Sequence, residues 1–254
     1  MKNYTDNCAV IILAAGLGTR MKSDKAKVLH EILGKPMVLY VVETASEVVN
    51  KEIILVIGYQ ANKVREIVSK KHEVLYAFQN EQLGTGHAVM CALKHVPGYI
   101  EHVVILCGDV PLITKDTLTK LIANHIELKR DITLLAVEID NPSGYGRIIL
   151  DQDDKILKIV EEADTTDEQK KIKMINSGIY CVKRRKLNFL TGEIRSDNAQ
   201  KEFYLTDIIE IGRDENCNIG IMAGNRPEEI VGVNNLDDLI IAENLMRRKL
   251  TKKS

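Results

Sequence analysis

Two cations, Arg20 and Lys27, follow the small-residue stretch Ala14-Ala15-Gly16-Leu17-Gly18-Thr19, which closes the apolar run Val10-Ile11-Ile12-Leu13. Glycines let backbone N–H groups approach a ligand with no side chain between, and Arg20 adds a permanent planar cation to the same loop. Amides plus fixed positive charge just beyond a strand suit a phosphate chain. Two better-known phosphate motifs are excluded. A dinucleotide fingerprint requires glycine where Met21 stands and an acid closing the second strand, and Val56-Ile57-Gly58 offers none. A Walker A loop requires glycine before Lys-Ser/Thr, and Met21 stands before Lys22-Ser23. Taken alone, the stretch could still be an ordinary glycine-rich turn.

Two further stretches could share that chemistry. Gln79-Asn80-Glu81-Gln82-Leu83-Gly84-Thr85-Gly86 combines amide side chains, able to read the donor and acceptor edge of a base, with glycines that bring its backbone close. The alternative is a polar loop capping the helix that begins near His87. Cys107-Gly108-Asp109-Val110-Pro111 sets a carboxylate beyond another apolar run. A carboxylate there suits Mg²⁺ beside a triphosphate, because Mg²⁺ takes few protein ligands and completes its shell with phosphate oxygens. Asp109 could equally be a turn residue ahead of Pro111. His87 offers a base by type, but its place between loop and helix suggests a structural role.

These stretches need strand ends to hold them, and the chain supplies them. Val10–Leu13 reads as a strand buried on both faces. Further strands are expected at 53–57, 74–78, 103–107 and 132–137. Between them, a helix opens at Pro36 and runs to Val48, ended by Asn50. Val64, Ile67 and Val68 share one helical face, and 88–93 belongs to another helix. Leu118, Leu121, Ile122 and His125 keep i, i+3, i+4, i+7 spacing, so 115–128 is helical. Such alternation implies right-handed crossovers and a mainly parallel sheet. Beyond Asn141 the pattern changes. Strands at 147–150 and 156–160 flank Asp151-Gln152-Asp153-Asp154 as a hairpin. Residues 163–173 form a solvated loop or short helix, 175–182 a strand, and 206–211 part of a helix. Asn234-Asn235 starts a last helix that fades into a charged tail; as a bare residue, Asn234 reads as its N-cap. Nothing marks a flexible linker, so the second half extends the first.

With 254 residues, 45% of them hydrophobic and 28% charged, the chain can bury a sizeable core in one large α/β domain or two small ones. A formal net charge of −1 supplies no field to recruit nucleic acid or an anionic membrane. Its apolar runs are strand-sized, and residues 1–7 lack a signal peptide's apolar core. Five scattered cysteines without CxxC spacing read as reduced, mostly buried thiols. A cytoplasmic protein is expected.

In order along the chain stand LAAGLGTRM, Lys27-Val28-Leu29-His30, QLGTGHA, GDVPL, YGRI, IVEE, INSGIY and GVNN. The set resembles the pyrophosphorylase domain of bacterial N-acetylglucosamine-1-phosphate uridylyltransferases, over residues 8 to 240. The resemblance implies a Rossmann-like α/β fold, its mainly parallel sheet flanked by helices, with a small β-rich sugar-binding extension. It implies one nucleotidyltransferase domain over 1–254, with a nucleotide-binding half at 1–140, a sugar-binding half at 141–234, and a C-terminal helix and tail at 235–254. By the same resemblance Leu13, Ala14 and Gly16 line the uridine site, and Gln79 and Gly84 hold uracil. Arg20 and Lys27 neutralise the triphosphate. Thr85, Gly146, Glu161 and Asn176 hold the sugar, while Asp109 and Asn234 hold Mg²⁺. Four residues depart from the pattern: Cys107 replaces tyrosine, Ala26 the proline before the lysine, Lys201 a glycine, and Leu236 the arginine after GVNN.

The expected reaction is Mg²⁺-dependent transfer of UMP from UTP to N-acetylglucosamine-1-phosphate. Its rivals are a related sugar-1-phosphate nucleotidyltransferase, using glucose-1-phosphate or dTTP, and a catalytically weak sugar-nucleotide-binding protein. Such enzymes usually continue into a left-handed β-helix of hexapeptide repeats, which acetylates glucosamine-1-phosphate and assembles trimers. No hexapeptide period is present here. Uridylyl transfer without acetyltransfer, in a monomer or weak dimer, is therefore expected.

Overall fold

A computed structural model of the protein describes residues 4–49, 51–230 and 232–251. Asn50, expected to end a helix, the first three residues and the last three lie outside the described residues. The first half runs β1 (Cys8–Ala14), a two-residue hairpin of β2 (Glu31–Ile32) and β3 (Lys35–Pro36), α1 (Met37–Ser46), β4 (Ile53–Ile57), α2 (Ala61–Ser69), β5 (Leu75–Phe78), α3 (Thr85–Leu93), β6 (His102–Cys107), α4 (Lys115–Glu127) and β7 (Ile132–Glu138). The second half adds β8 (Arg147–Leu150), β9 (Ile156–Val160), β10 (Met174–Lys183), α5 (Arg184–Glu193), α6 (Asp207–Asp214), β11 (Ile219–Ala223) and α7 (Leu236–Thr251).

The main sheet has the order β11-β7-β10-β6-β1-β4-β5, with the β8–β9 hairpin branching from β10. β1 pairs in parallel with both β4 and β6, and β4 with β5. The chain therefore builds outward on one side of β1 and returns to its other side. That reversal opens a crevice beyond the carboxyl ends of β1 and β6, the place where open α/β sheets bind ligands. β10 runs antiparallel between β6 and β7. The second half thus contributes a strand to the middle of the sheet, and only the β8–β9 hairpin stands off it.

Strand residues divide by parity between two cores. Val10, Ile12 and Leu55 face α1, α2 and α4; Ala9, Ile11 and Ile54 face α3, α5 and α6. A third cluster joins Met21, Leu112 and Val233 to Ile32, Met37, Ala242 and Met246. It seats α7 on the β2–β3 hairpin and fixes residues next to Arg20 and Asn234.

Helix α1 begins at Met37, not Pro36. Leu33 and Gly34 both adopt positive φ, which closes a tight hairpin and pairs Pro36 with Glu31. Four elements escaped the sequence reading: the two-residue strands β2 and β3, α5 and β11. Helix α5 buries little beyond Leu187, Leu190 and Thr191, too sparse a stripe to register. β11 is an edge strand carrying Gly220. Residues 163–173 contain two single 3-10 turns, Glu162–Asp164 and Gln169–Lys171.

Candidate active site

Beyond β1 the chain makes a 3-10 turn at Thr19–Met21, crosses a short loop, and turns again at Lys27–Leu29. Gly18 has φ +68°, and a Cβ there would lie 2.5 Å from the Lys27 Cβ. Only glycine combines that conformation with so close an approach, so the two cation-bearing loops pack directly on each other. The Lys27 ammonium pairs with the Asp109 carboxylate and donates to Asn234 Oδ1 at 2.8 Å. Arg20 Nη2 donates to the same oxygen at 2.9 Å. The backbone ties this together, because Val233 N–H donates to the Asp109 carbonyl at 2.9 Å.

Asn234 is free for this role because it does not cap α7. Asn235 Oδ1 accepts from Asp238 N–H at 2.9 Å, and Asp238 Oδ2 accepts in return from Asn235 N–H at 3.3 Å, as well as from Asn234 N–H at 2.8 Å. That reciprocal pair is a capping box shifted one residue along from the expectation. Asp109 and Asn234 thus present a carboxylate and an amide oxygen to one cation, the Lys27 ammonium. An oxygen-only pair of this kind fits a hard divalent ion. Among the described residues no group of three or more His, Cys, Asp or Glu side chains is placed to hold a metal.

Two cavities adjoin this cluster. The larger, about 440 Å³, is lined by Leu13, Ala14, Gly16, Lys27, Gln79 and Gly84. The smaller, about 180 Å³, is lined by Thr85, Gly146, Glu161, Asn176, Asp109 and Asn234. Leu13, Thr85, Cys107 and Asp109 line both. Every expected site residue except Arg20 therefore borders one of two adjoining spaces, and Arg20 reaches the smaller one's lining through Asn234.

In the larger cavity Gln79 is buried, its Nε2 donating to the Gly84 carbonyl at 2.9 Å. Gly84 has φ +109°, and a Cβ there would meet Phe203 O at 2.6 Å. The segment around Phe203 lies across this loop: Phe203 N–H donates to Leu83 O at 2.8 Å, Gly86 N–H to Phe203 O at 2.7 Å, and Leu205 N–H to Thr85 Oγ1 at 3.0 Å. His87 Nδ1 sits 3.1 Å from Glu81 O, which makes it a brace of the same loop.

In the smaller cavity Glu161 Oε1 accepts from the Thr206 hydroxyl at 3.0 Å. Burial pushes the Glu161 carboxyl up, with Asp164 and Glu202 adding to it. Asn176 N–H donates to Gly146 O at 2.9 Å, and its side-chain oxygen accepts from Gly178 N–H at 3.0 Å. Burial also pushes the Cys107 thiol up to about 12, so it stays protonated and inert.

Tyr180 and Thr206 are among the lining residues not expected from sequence. The Tyr180 hydroxyl is fully buried with no hydrogen bond of good geometry, the Asn176 side chain being its polar neighbour, a condition that in native proteins calls for an explanation. Nothing in its local sequence signals this. Lys201, standing at a glycine position of the resembled pattern, adopts φ +56°. The site loop keeps the backbone shape that glycine takes without strain.

Residues 9–222 match the nucleotidyl transferase family, and the chain belongs to that family. Among curated proteins it is 50% identical, over 96% of its own length, to the bifunctional protein GlmU of Caldanaerobacter subterraneus subsp. tengcongensis. It is 43% identical, over 97%, to the bifunctional protein GlmU of Clostridioides difficile. It covers 52% and 53% of these two proteins, so the chain spans about half the length of the curated relatives it matches. The crystal structure of HddC from Yersinia pseudotuberculosis superimposes with a TM-score of 0.67, covering 94% of this chain and 99% of that one at 23% identity; this likeness shows the shared fold. All five cysteines are free thiols. Among the described residues no helix is long and apolar enough to cross a membrane.

Proposed function

We propose that this nucleotidyl transferase moves UMP from UTP to N-acetylglucosamine-1-phosphate, giving UDP-N-acetylglucosamine and pyrophosphate. The observation that carries this reading is the meeting of the two cavities at Asp109, beside Lys27, Arg20 and Asn234. A nucleotide in the larger space and a sugar phosphate in the smaller would bring their phosphates together at that point.

The sugar-phosphate oxygen attacks the α-phosphorus in line; a new P–O bond forms as the bond from the α-phosphorus to its bridging oxygen breaks and pyrophosphate leaves. A phosphate oxygen is already anionic, so no general base is required. The chain's task reduces to alignment and charge neutralisation. Lys27 and Arg20 offset the repulsion between the two anions. Asp109 and Asn234 would hold Mg²⁺, which when bound supplies further positive charge at the phosphate oxygens. Gln79 and the Gly84 backbone face the base, while Glu161 and Asn176 face the sugar hydroxyls and acetamido group.

Initial rates with a matched panel test the reading. UTP with N-acetylglucosamine-1-phosphate should exceed UTP with glucose-1-phosphate and dTTP with either sugar. Equal or faster turnover of glucose-1-phosphate would remove the sugar assignment.

A further inference from the structure

The turn after β4 carries no group for the reaction, yet it touches both loops that bear the cations. A Cβ on Gly58 would lie 2.9 Å from the Ala15 carbonyl oxygen, and Tyr59 N–H donates to that oxygen at 3.2 Å. Gln60 follows at the start of α2, with φ 51° and ψ 36°, in the left-handed region. Its side chain makes no cap for that helix. It reaches instead across the loop before Lys27. Nε2 donates to the Asp24 carbonyl at 2.6 Å, and Oε1 accepts from Ala26 N–H at 3.1 Å. The Tyr59 hydroxyl donates to the same Asp24 carbonyl at 3.2 Å.

One side-chain amide therefore satisfies a carbonyl and an N–H two residues apart, and the clamp ends immediately before Lys27. Ala26 itself is anchored, its methyl buried in the core and its carbonyl accepting from Leu29 N–H at 2.9 Å. Across residues 23–25 the remaining contacts are Lys25 N–H to Ser23 Oγ at 3.1 Å and an exposed Lys25–Glu31 ion pair, a kind of contact that contributes little. A rotation at Ala26 would be amplified along the Lys27 side chain, and misplacement of a charged group by about 1 Å can cost on the order of a hundredfold in rate. A non-glycine residue in left-handed backbone is strained by its Cβ. Gln60 keeps that conformation where it aims the amide at the loop, the pattern expected of strain held at a functional site.

We propose that Gln60 is a positioning residue for phosphate transfer, its amide locking the 24–26 loop so that the Lys27 ammonium stays registered against Asp109 and Asn234. The proposal rests on the reading of Lys27 as the cation that meets the nucleotide phosphates.

Gln60→Gly separates the clamp from backbone strain, because glycine takes the left-handed conformation freely while losing both amide contacts. Relief of strain is opposed by the loss of both hydrogen bonds and by added chain freedom, so its thermal midpoint should hold or fall slightly, while kcat falls about tenfold or more. Gln60→Glu keeps the acceptor for Ala26 and sets an oxygen against the Asp24 carbonyl, so it should also lose rate. The decisive arm is a double-mutant cycle with Lys27→Ala, read as initial rate and as UTP affinity by calorimetry. If Gln60 acts through Lys27, adding Gln60→Gly to Lys27→Ala should change either quantity by less than about twofold. Unchanged kcat in Gln60→Gly, or an equal loss with and without Lys27, would overturn the proposal. A wild-type chain that binds UTP but turns over no sugar phosphate would overturn the substrate reading instead, and the UTP-affinity cycle would still decide the clamp.

Discussion

The Lys27 ammonium lies 2.8 Å from the side-chain oxygen of Asn234, 207 positions away in the chain. That contact joins the loop after β1 to the start of α7, and Arg20 reaches the same oxygen. An oxygen that gathers two cations beside a carboxylate is the pivot of the proposed site. Asn234→Ala should lower kcat by on the order of a hundredfold, the loss typical of one preorganised polar contact. Asn234→Asp keeps an oxygen in place and should retain much more of the rate. Titrating both variants with Mg²⁺ checks this; equal losses would mean that the oxygen itself is not what matters.

Lys201→Gly should stabilise the protein. Relief of left-handed strain, about 1–2 kcal/mol, outweighs the added freedom of the unfolded chain, about 0.4–1 kcal/mol. Denaturant unfolding should show a gain of roughly 0.5–1 kcal/mol. A lower midpoint would show that the lysine side chain makes a contact worth more than its strain.

Asp207 offers a pH test. Burial, reinforced by Glu210, Glu161 and Asp164, lifts its carboxyl from 3.8 to about 6. The folded state therefore holds a proton that the unfolded chain releases at lower pH. This stabilisation is complete below 3.8 and is lost as pH rises through about 6. Asp207→Asn should remove that slope, so its thermal midpoint gains on wild type between pH 4 and 6 and stays ahead above. Parallel curves would place the proton elsewhere.

The Tyr180 hydroxyl, buried at the edge of the smaller cavity with no hydrogen bond of good geometry and Asn176 beside it, predicts an unusual pair of effects. Tyr180→Phe should leave the ligand-free protein as stable as wild type or about 1 kcal/mol more so, since an unsatisfied buried group is removed. If the substrate completes the hydroxyl's hydrogen bonding, affinity for the sugar phosphate should fall about tenfold, from loss of one bond. A destabilised ligand-free variant would show that the hydroxyl is satisfied within the protein.

Strands β4, β8 and β9 were legible to the residue, β4 as an unbroken run of buried branched side chains and β8 and β9 as short apolar stretches flanking the Asp151–Asp154 turn. Arg20, Lys27 and Asp109 stood out in the sequence as candidates for phosphate chemistry from their places near strand ends, and β1 and β6 bring those ends together. Glu161 and Asn176 came only through the resemblance: a hairpin glutamate and a strand asparagine look ordinary until Gly146 and Thr206 close around them. The choice between Asn234 and Asn235 as helix cap turned on Asp238, which local pattern did not weigh. Gln60 and Tyr180 stayed hidden for one physical reason. The roles inferred for them depend on partners, or on a missing partner, that only the folded chain defines.

The most direct test of the proposed reaction is product stoichiometry. The purified chain is incubated with UTP, Mg²⁺ and N-acetylglucosamine-1-phosphate, and nucleotide sugar and pyrophosphate are quantified together. UDP-N-acetylglucosamine and pyrophosphate should appear in equal amounts, only when both substrates are present, and should vanish with Asp109→Asn. Pyrophosphate released without nucleotide sugar, or no pyrophosphate from a folded chain that binds UTP, would contradict the account.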